Sequence, residues 1–248
     1  MSDTYVYRPL SGLTWVLVSL LGLGAVANLF SASSLAIDLA LPNRSTYSPT
    51  GGGLDDAQRD LIAFIALSVQ LLTAVCFGVW IVRTNRNVRA LGAEDLPFTP
   101  GSAVGSFFIP ILNLFHPYQA MRDLLKASRS PANWNVQPSS PLLPLWWALW
   151  LITPVVGGIA EAMGARDDSG PSNLQDGAKL MLVVGMVLYG LLCLAAMGVV
   201  LLVTKAQRAA PAVDAVSLWS AEHWDRGVRE RWDGGGQDDE ERVAPPNP

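Results

Sequence analysis

Four stretches of about twenty residues each, nearly free of charge, constrain this chain more than any other feature. They run from Leu13 to about Leu35, Leu61 to Val82, Leu142 to Ala162 and Leu180 to Val203. A helix rises ~1.5 Å per residue, so each stretch covers a hydrocarbon core of ~30 Å. Only helices and closed barrels satisfy their backbone groups in lipid, and the alternation of barrel strands is absent. The expectation is an all-α fold: a four-helix transmembrane bundle. Composition agrees, because only 15% of the 248 residues are charged where a soluble domain carries about 25%.

The first stretch raises the question of a cleaved signal. Arg8 offers a thin basic lead and Ser31-Ala32-Ser33 a small-residue site. The apolar run exceeds the ~7–15 residues of a signal core, so a retained signal-anchor helix is expected. Cys76 and Cys193 both fall inside spans. They exclude a disulfide framework in an outer loop and read as small apolar residues. The formal net charge of -4 hides a change of sign along the chain, and no basic domain supports nucleic-acid binding.

The distribution of basic residues orients the spans. Arg83, Arg86, Arg89, Arg122, Lys126 and Arg129 lie between spans two and three. Lys205 and Arg208 follow span four, and Arg8 precedes span one. The first loop sets Arg44 and Arg59 against Asp38, Asp55, Asp56 and Asp60, and the third sets Arg166 and Lys179 against Asp167, Asp168 and Asp176. Both termini and the long middle loop are therefore expected in the cytoplasm, with the protein a multi-pass component of the plasma membrane.

That middle loop contains the strangest text of the chain, FTPGSAVGSFFIPILNLFHPYQAMRDLLKAS from Phe98 to Ser128. A fifth span at 104–125 would put Lys126, Arg129, Lys205 and Arg208 outside, against the charge rule. It would also place Pro110, Pro117, Asn113, His116 and Gln119 in lipid. Phe107, Ile111, Leu114, Tyr118, Met121 and Leu125 recur at helical spacing and form one stripe. The segment 103–128 is expected to be a kinked amphipathic or re-entrant helix in the central cytoplasmic loop. Ser102 is a candidate N-cap, and Pro110 and Pro117 are expected to kink the helix or break it into two pieces.

Catalytic templates are missing. The two histidines, His116 and His223, form no zinc-protease motif, and Cys-x-x-Cys, phosphate-loop and G-x-S-x-G patterns do not occur. Gly22-Leu-Gly-Ala-Val-Ala fits a dinucleotide fingerprint in letters only, because it lies inside span one with no strand before it. Asp55-Asp56 and Asp167-Asp168 read as solvated loop carboxylates. No catalytic, cofactor or metal residue is expected, and the chain reads as non-enzymatic.

Polar groups inside the spans are Asn28, Gln70, Thr73 and Thr153, with Glu161 near the outer end. Interhelical hydrogen bonding explains them better than a transport site. Ala74-x-x-x-Gly78 and Ala160-x-x-x-Gly164 would allow close helix approach. Trp80, Trp146, Trp147 and Trp150 are placed for an interfacial aromatic belt. The first loop, Pro42 to Gly53, reads as flexible and carries the weak glycosylation triplet Asn43-Arg44-Ser45. Residues 1–208 thus form the membrane domain and 209–248 a cytoplasmic tail. Within the tail, Val216, Ser220, Trp224, Val228 and Trp232 stripe a helix over 213–232, before an acidic disordered end from Asp233.

Several motifs resemble one bacterial membrane family, domain of unknown function 4328. They are Phe77-x-x-Trp80, Arg83-x-x-Arg86-Asn87-x-x-Ala90-Leu91-Gly92, Phe98-x-Pro100-Gly101, Phe107-Phe108-Ile109-Pro110-x-x-Asn113-Leu114 and Pro117-Tyr118-Gln119. Tyr7-Arg8-Pro9-Leu10 and Trp146-Trp147 also resemble its members, so the likeness covers spans one to four. Ser106 stands where a Trp is common, and His116 where Arg usually precedes Pro-Tyr-Gln. The resemblance implies an integral membrane protein and no defined activity.

Its motifs mark a candidate functional face of Trp80, Arg83, Arg86, Asn87, Pro100, Gly101, Phe108, Pro110, Asn113, His116, Pro117, Tyr118 and Gln119. The expected partners are the lipid bilayer and a protein at the cytoplasmic face. The alternative is a small transporter or channel that uses 104–119 as a re-entrant element.

Overall fold

The computed structural model describes residues 5–41, 56–164 and 172–234, with side chains at all of these except 38, 56, 59, 172–175 and 211–234. The first-loop expectations from Pro42 to Gly53, the side chains of both aspartate pairs, the side-chain stripe of the tail and the acidic end lie outside the described residues.

Six α-helices follow one another: α1 (Ser11–Ala40), α2 (Asp56–Ala90), α3 (Pro100–Gly105), α4 (His116–Arg129), α5 (Leu142–Gly164) and α6 (Ser172–Gly234). There is no strand among the described residues. Four of the helices, α1, α2, α5 and α6, contain segments long and apolar enough to cross a membrane. The backbone of α6 is helical through residue 203 and on to Gly234.

The packing is uneven along the chain. α1 and α5 lie along α6, α4 docks on α6, and α2 meets α1 and α3 more than it meets α6. Of the most apolar window in α6, 44% is buried, whereas in α2 the figure is 0%. The lower half of α2, with Leu61, Phe64, Ile65, Leu67 and Leu71 exposed, therefore stands clear of the other helices. The core gathers where α2, α4, α5 and α6 converge, around Trp80, Ile81, Met121, Leu125, Leu143, Trp146 and Val200.

In lipid, helix association rests on close packing and hydrogen bonds rather than on water exclusion. The closest approaches occur on α6, not at the small-residue pairs singled out in the sequence. A Cβ added to Gly190 would lie 2.8 Å from Leu29 Cγ, 2.9 Å from its Cδ2 and 3.5 Å from the Ala25 carbonyl oxygen. One at Gly198 would lie 2.7 Å from Leu142 Cδ2. Gly164 has nothing within 4 Å, and Gly78 faces Val104 of α3 rather than another long helix. Gly190→Leu should thus force α1 off α6 and lower stability by about 1–3 kcal/mol, read as thermal unfolding in detergent. Gly164→Leu should unfold with the parent, and equal behaviour of the two variants would contradict the contact.

Further expectations are corrected. The tryptophans do not form a belt: Trp80, Trp146 and Trp147 are 0%, 2% and 8% exposed. Their rings instead join a stack in which Phe77 lies 5.9 Å from Trp80 and 6.2 Å from Trp146, and Trp146 lies 5.5 Å from Trp147. The helix faces carrying them point into the protein. The mid-span polar groups do not bridge helices either. Asn28 donates to the Gly24 carbonyl, Thr73 to Val69 and Thr153 to Leu149, each four residues back in its own helix. Local carbonyls are always within reach of such side chains.

At Pro110 the expected break is present, so the stripe from Phe107 to Leu125 is not one helix. After α3 come separate 3-10 turns at Ser106–Phe108 and Leu112–Leu114, broken at extended Ile109 just before Pro110. A residue preceding proline is pushed out of the helical region. The break turns Ile111 and Leu114 outward, 75% and 46% exposed, while Met121 and Leu125 are buried. Pro117 breaks nothing, because it sits in the first turn of α4, where no backbone N–H is needed. Nor does α4 lie with its apolar face on a free surface, since that face is covered by α6 and α2.

Candidate functional site

The site is built from the end of α2 upward. α2 stops in a Schellman arrangement: Ala93 N–H donates to the Val88 carbonyl at 3.0 Å and Gly92 N–H to Arg89 at 3.1 Å. Gly92 supplies the required positive φ of 92°, which gives the Leu91-Gly92 of the sequence motif its role. The chain then returns along α2 and is pinned there. Arg89 donates from Nε to Asn85 Oδ1 (3.1 Å) and from Nη2 to the carbonyls of Leu96 (3.3 Å) and Phe98 (3.0 Å). Asn85 Nδ2 donates to the same Phe98 carbonyl at 3.2 Å.

This return delivers α3 onto the side of α2. Thr99 is the N-cap, not Ser102, and its hydroxyl accepts from the Ser102 N–H at 3.1 Å. The helix starts one turn earlier than the serine suggested because Pro100 occupies its first turn. Val104 rests against Gly78 and leaves Pro100 and Gly101 beside the last turns of α2.

A second segment reaches the same place from the N-terminus. Arg8 N–H donates to Asn87 Oδ1 at 2.9 Å, and Asn87 Nδ2 donates back to the Arg8 carbonyl at 2.8 Å. One buried side-chain amide thus holds both backbone groups of a residue 79 positions away. Behind it lies a buried polar network. Asn87 Nδ2 also reaches Gln207 Oε1 (3.3 Å), and Gln207 Nε2 donates to the Thr84 carbonyl (2.9 Å) and to Ser128 Oγ (3.3 Å). Thr14 and Thr204 hydroxyls pair at 3.1 Å. These contacts join the start of α1, the last turns of α2, the end of α4 and the middle of α6.

The outcome is a polar cavity of about 570 Å³ lined by Tyr5, Val6, Arg8, Arg83, Arg86, Asn87, Pro100 and Gly101. Five of the sequence candidates meet here: Arg83, Arg86, Asn87, Pro100 and Gly101. Arg83 and Arg86 are three apart and so share a helix face. Among the described residues no carboxylate lines the cavity, and the described ion pairs are Arg122–Asp123 and Lys179–Asp176. Arg8, Arg83 and Arg86 are exposed and line this space without an acidic neighbour among the described lining residues. Arginine's planar fork suits phosphate and carboxylate groups.

The other candidates lie elsewhere. Trp80 is in the core, and its indole N–H has no acceptor among the described residues. Phe108 lines a second cavity of about 290 Å³ with Phe77, Gly78, Val104, Phe107, Trp150 and residues of α6. Pro110 is exposed at the bend, whereas Asn113 is half-buried and its Oδ1 is buried with no donor among the described residues. His116 packs edge-on against Phe98 at 5.5 Å. Pro117, Tyr118 and Gln119 open α4 and line neither cavity. Tyr5 and Val6 were missed by the sequence reading, which offered no periodicity or motif to place them on α2. Among the described residues no group of three or more His, Cys, Asp or Glu gathers as a metal set.

The described residues thus combine four helices long and apolar enough to cross a membrane with a basic cavity beside the last turns of α2. The family described as Domain of unknown function (DUF4328) matches residues 44–208, and the chain belongs to it. The match begins after α1, so it spans the last three long helices rather than all four, and Arg8 lies outside it. No curated protein and no solved structure matches the chain.

Proposed function

We propose that this is a non-enzymatic protein of the cell membrane that acts by binding at its basic face. Both termini and the central loop are on the cytoplasmic side in this reading, the four long helices form the transmembrane bundle, and residues 104–115 are a re-entrant segment. The observation that carries it is the convergence of three separate segments, Tyr5–Arg8, Arg83–Asn87 and Pro100–Gly101, on one polar cavity with no acidic lining among the described residues. The basic charge bias supports the orientation. The contacts of Phe107 with Phe77 at 6.4 Å and with Trp150 at 5.8 Å support insertion of the central segment between α2 and α5.

Transport is the second reading, favoured by the cavity that Val104, Phe107 and Phe108 line with Gln70 and Thr73. Among the described residues no acidic or basic side chain lines it, so these residues offer a charged cargo no counter-charge.

Gly101→Cys tests the first reading, because a Cβ there meets nothing within 4 Å. In a background lacking Cys76 and Cys193, a membrane-impermeant maleimide should label it in inside-out vesicles and not in intact cells. Labelling from outside the cell would overturn the orientation and with it the cytoplasmic binding face.

A further inference from the structure

We infer that the basic cavity holds the phosphate headgroup of an anionic phospholipid from the adjoining leaflet, whose acyl chains lie down the outer face of α2. The inference rests on the basic-face reading above and names the ligand class of that same cavity.

The depth of the arginines is the first support. Residues 61–82 of α2 carry no charge, and at ~1.5 Å per residue they span about 33 Å, the thickness of a hydrocarbon core. Arg83 and Arg86 therefore emerge at the level of the phosphates.

The face of α2 is the second. Leu72, Val75, Val79, Arg83 and Arg86 follow at spacings of three, four, four and three, which is one side of a helix. Leu72, Val75 and Val79 are 52%, 63% and 42% exposed, so an uncovered apolar track leads directly to the cavity. From Arg83 to Leu72 it measures about 16 Å, roughly half a hydrocarbon core, which is the reach of a chain in one leaflet.

Charge is the third. Arg8, held in place through its backbone by Asn87, adds a third arginine to the lining, and among the described residues no carboxylate there competes with an incoming phosphate. A soluble anion would use the arginines but would leave the apolar track unused.

The test uses the full chain, delipidated in detergent and titrated with long-chain phosphatidylglycerol, with lipid binding counted by native mass spectrometry. The parent should bind phosphatidylglycerol in preference to phosphatidylcholine. The double variant Arg83→Gln/Arg86→Gln should weaken that binding by about 10- to 100-fold, the scale of two charge-assisted contacts partly screened at an exposed site. Arg208→Gln, exposed at the same end but outside the cavity, should leave it unchanged.

Glycerol phosphate or inorganic phosphate at the same concentration should not displace the lipid. Full displacement by either would reassign the cavity to a soluble anion and overturn the proposal. Equal loss in Arg208→Gln would reduce the effect to general surface charge and overturn it as well, as would unchanged binding in the double variant. If lipid binding fails while Gly101→Cys still labels only from the cytoplasmic side, the lipid assignment falls and the basic-face reading stands.

Discussion

Asn87→Leu is expected to destabilise the protein by about 2–4 kcal/mol and to free its N-terminal segment. The substitution keeps the branched outline and removes three hydrogen bonds at once, to the Arg8 N–H, the Arg8 carbonyl and Gln207 Oε1. Arg8 is exposed and can turn to solvent, but Gln207 is 1% exposed and cannot. Leaving a buried polar group without its partner costs about 1–3 kcal/mol, more than the net value of the bond that was lost. Asn87→Asp should be nearly as damaging, because both bonds of Nδ2 go to oxygens that a carboxylate would oppose. Unfolding midpoints in detergent and chymotrypsin cleavage after Tyr5 or Tyr7 read the two effects. Parent-like behaviour of Asn87→Asp would show that Asn87 acts by shape alone.

Trp80→Ala should cost about 3–5 kcal/mol, the scale of emptying a fully buried aromatic site. Trp80 is 0% exposed and stacks on Phe77 with an interplanar angle of 20°. Trp80→Phe should cost only about 1 kcal/mol. It retains a ring on that stack, and it removes an indole N–H that has no acceptor among the described residues, a group whose burial opposes folding. A Trp80→Phe variant as unstable as Trp80→Ala would mean that the N–H makes a bond essential to the core. Chemical denaturation of both variants in the same detergent gives the comparison.

The long helices were legible because a span is a local property: an uncharged run of sufficient length declares itself without reference to any partner. α5 begins at Leu142, as expected from the sequence. The central segment was legible in its polarity and position but not in its path. Its side-chain spacing fits a helix, yet the constraint that proline places on Ile109 breaks the backbone there. Tryptophan position was misleading for a related reason. A Trp near a span end fits a lipid interface or a protein core equally well, and the contacts of Trp80 with Phe77 and of Trp146 with Trp147 place these side chains in the core.

The sequence by itself determined the four apolar spans, the family and the end of the protein that carries the positive charge. These depend on composition and spacing within single segments. Only the tertiary structure decided that Arg8 joins Arg83, Arg86 and Gly101 around one cavity, and that Gly190 and Gly198, not Gly164, carry the close helix contacts. Those facts depend on Asn87 meeting backbone groups 79 residues away and on which side of α6 faces its neighbours. A contact between distant segments leaves no periodic trace in either one, so it exists only once the chain has folded.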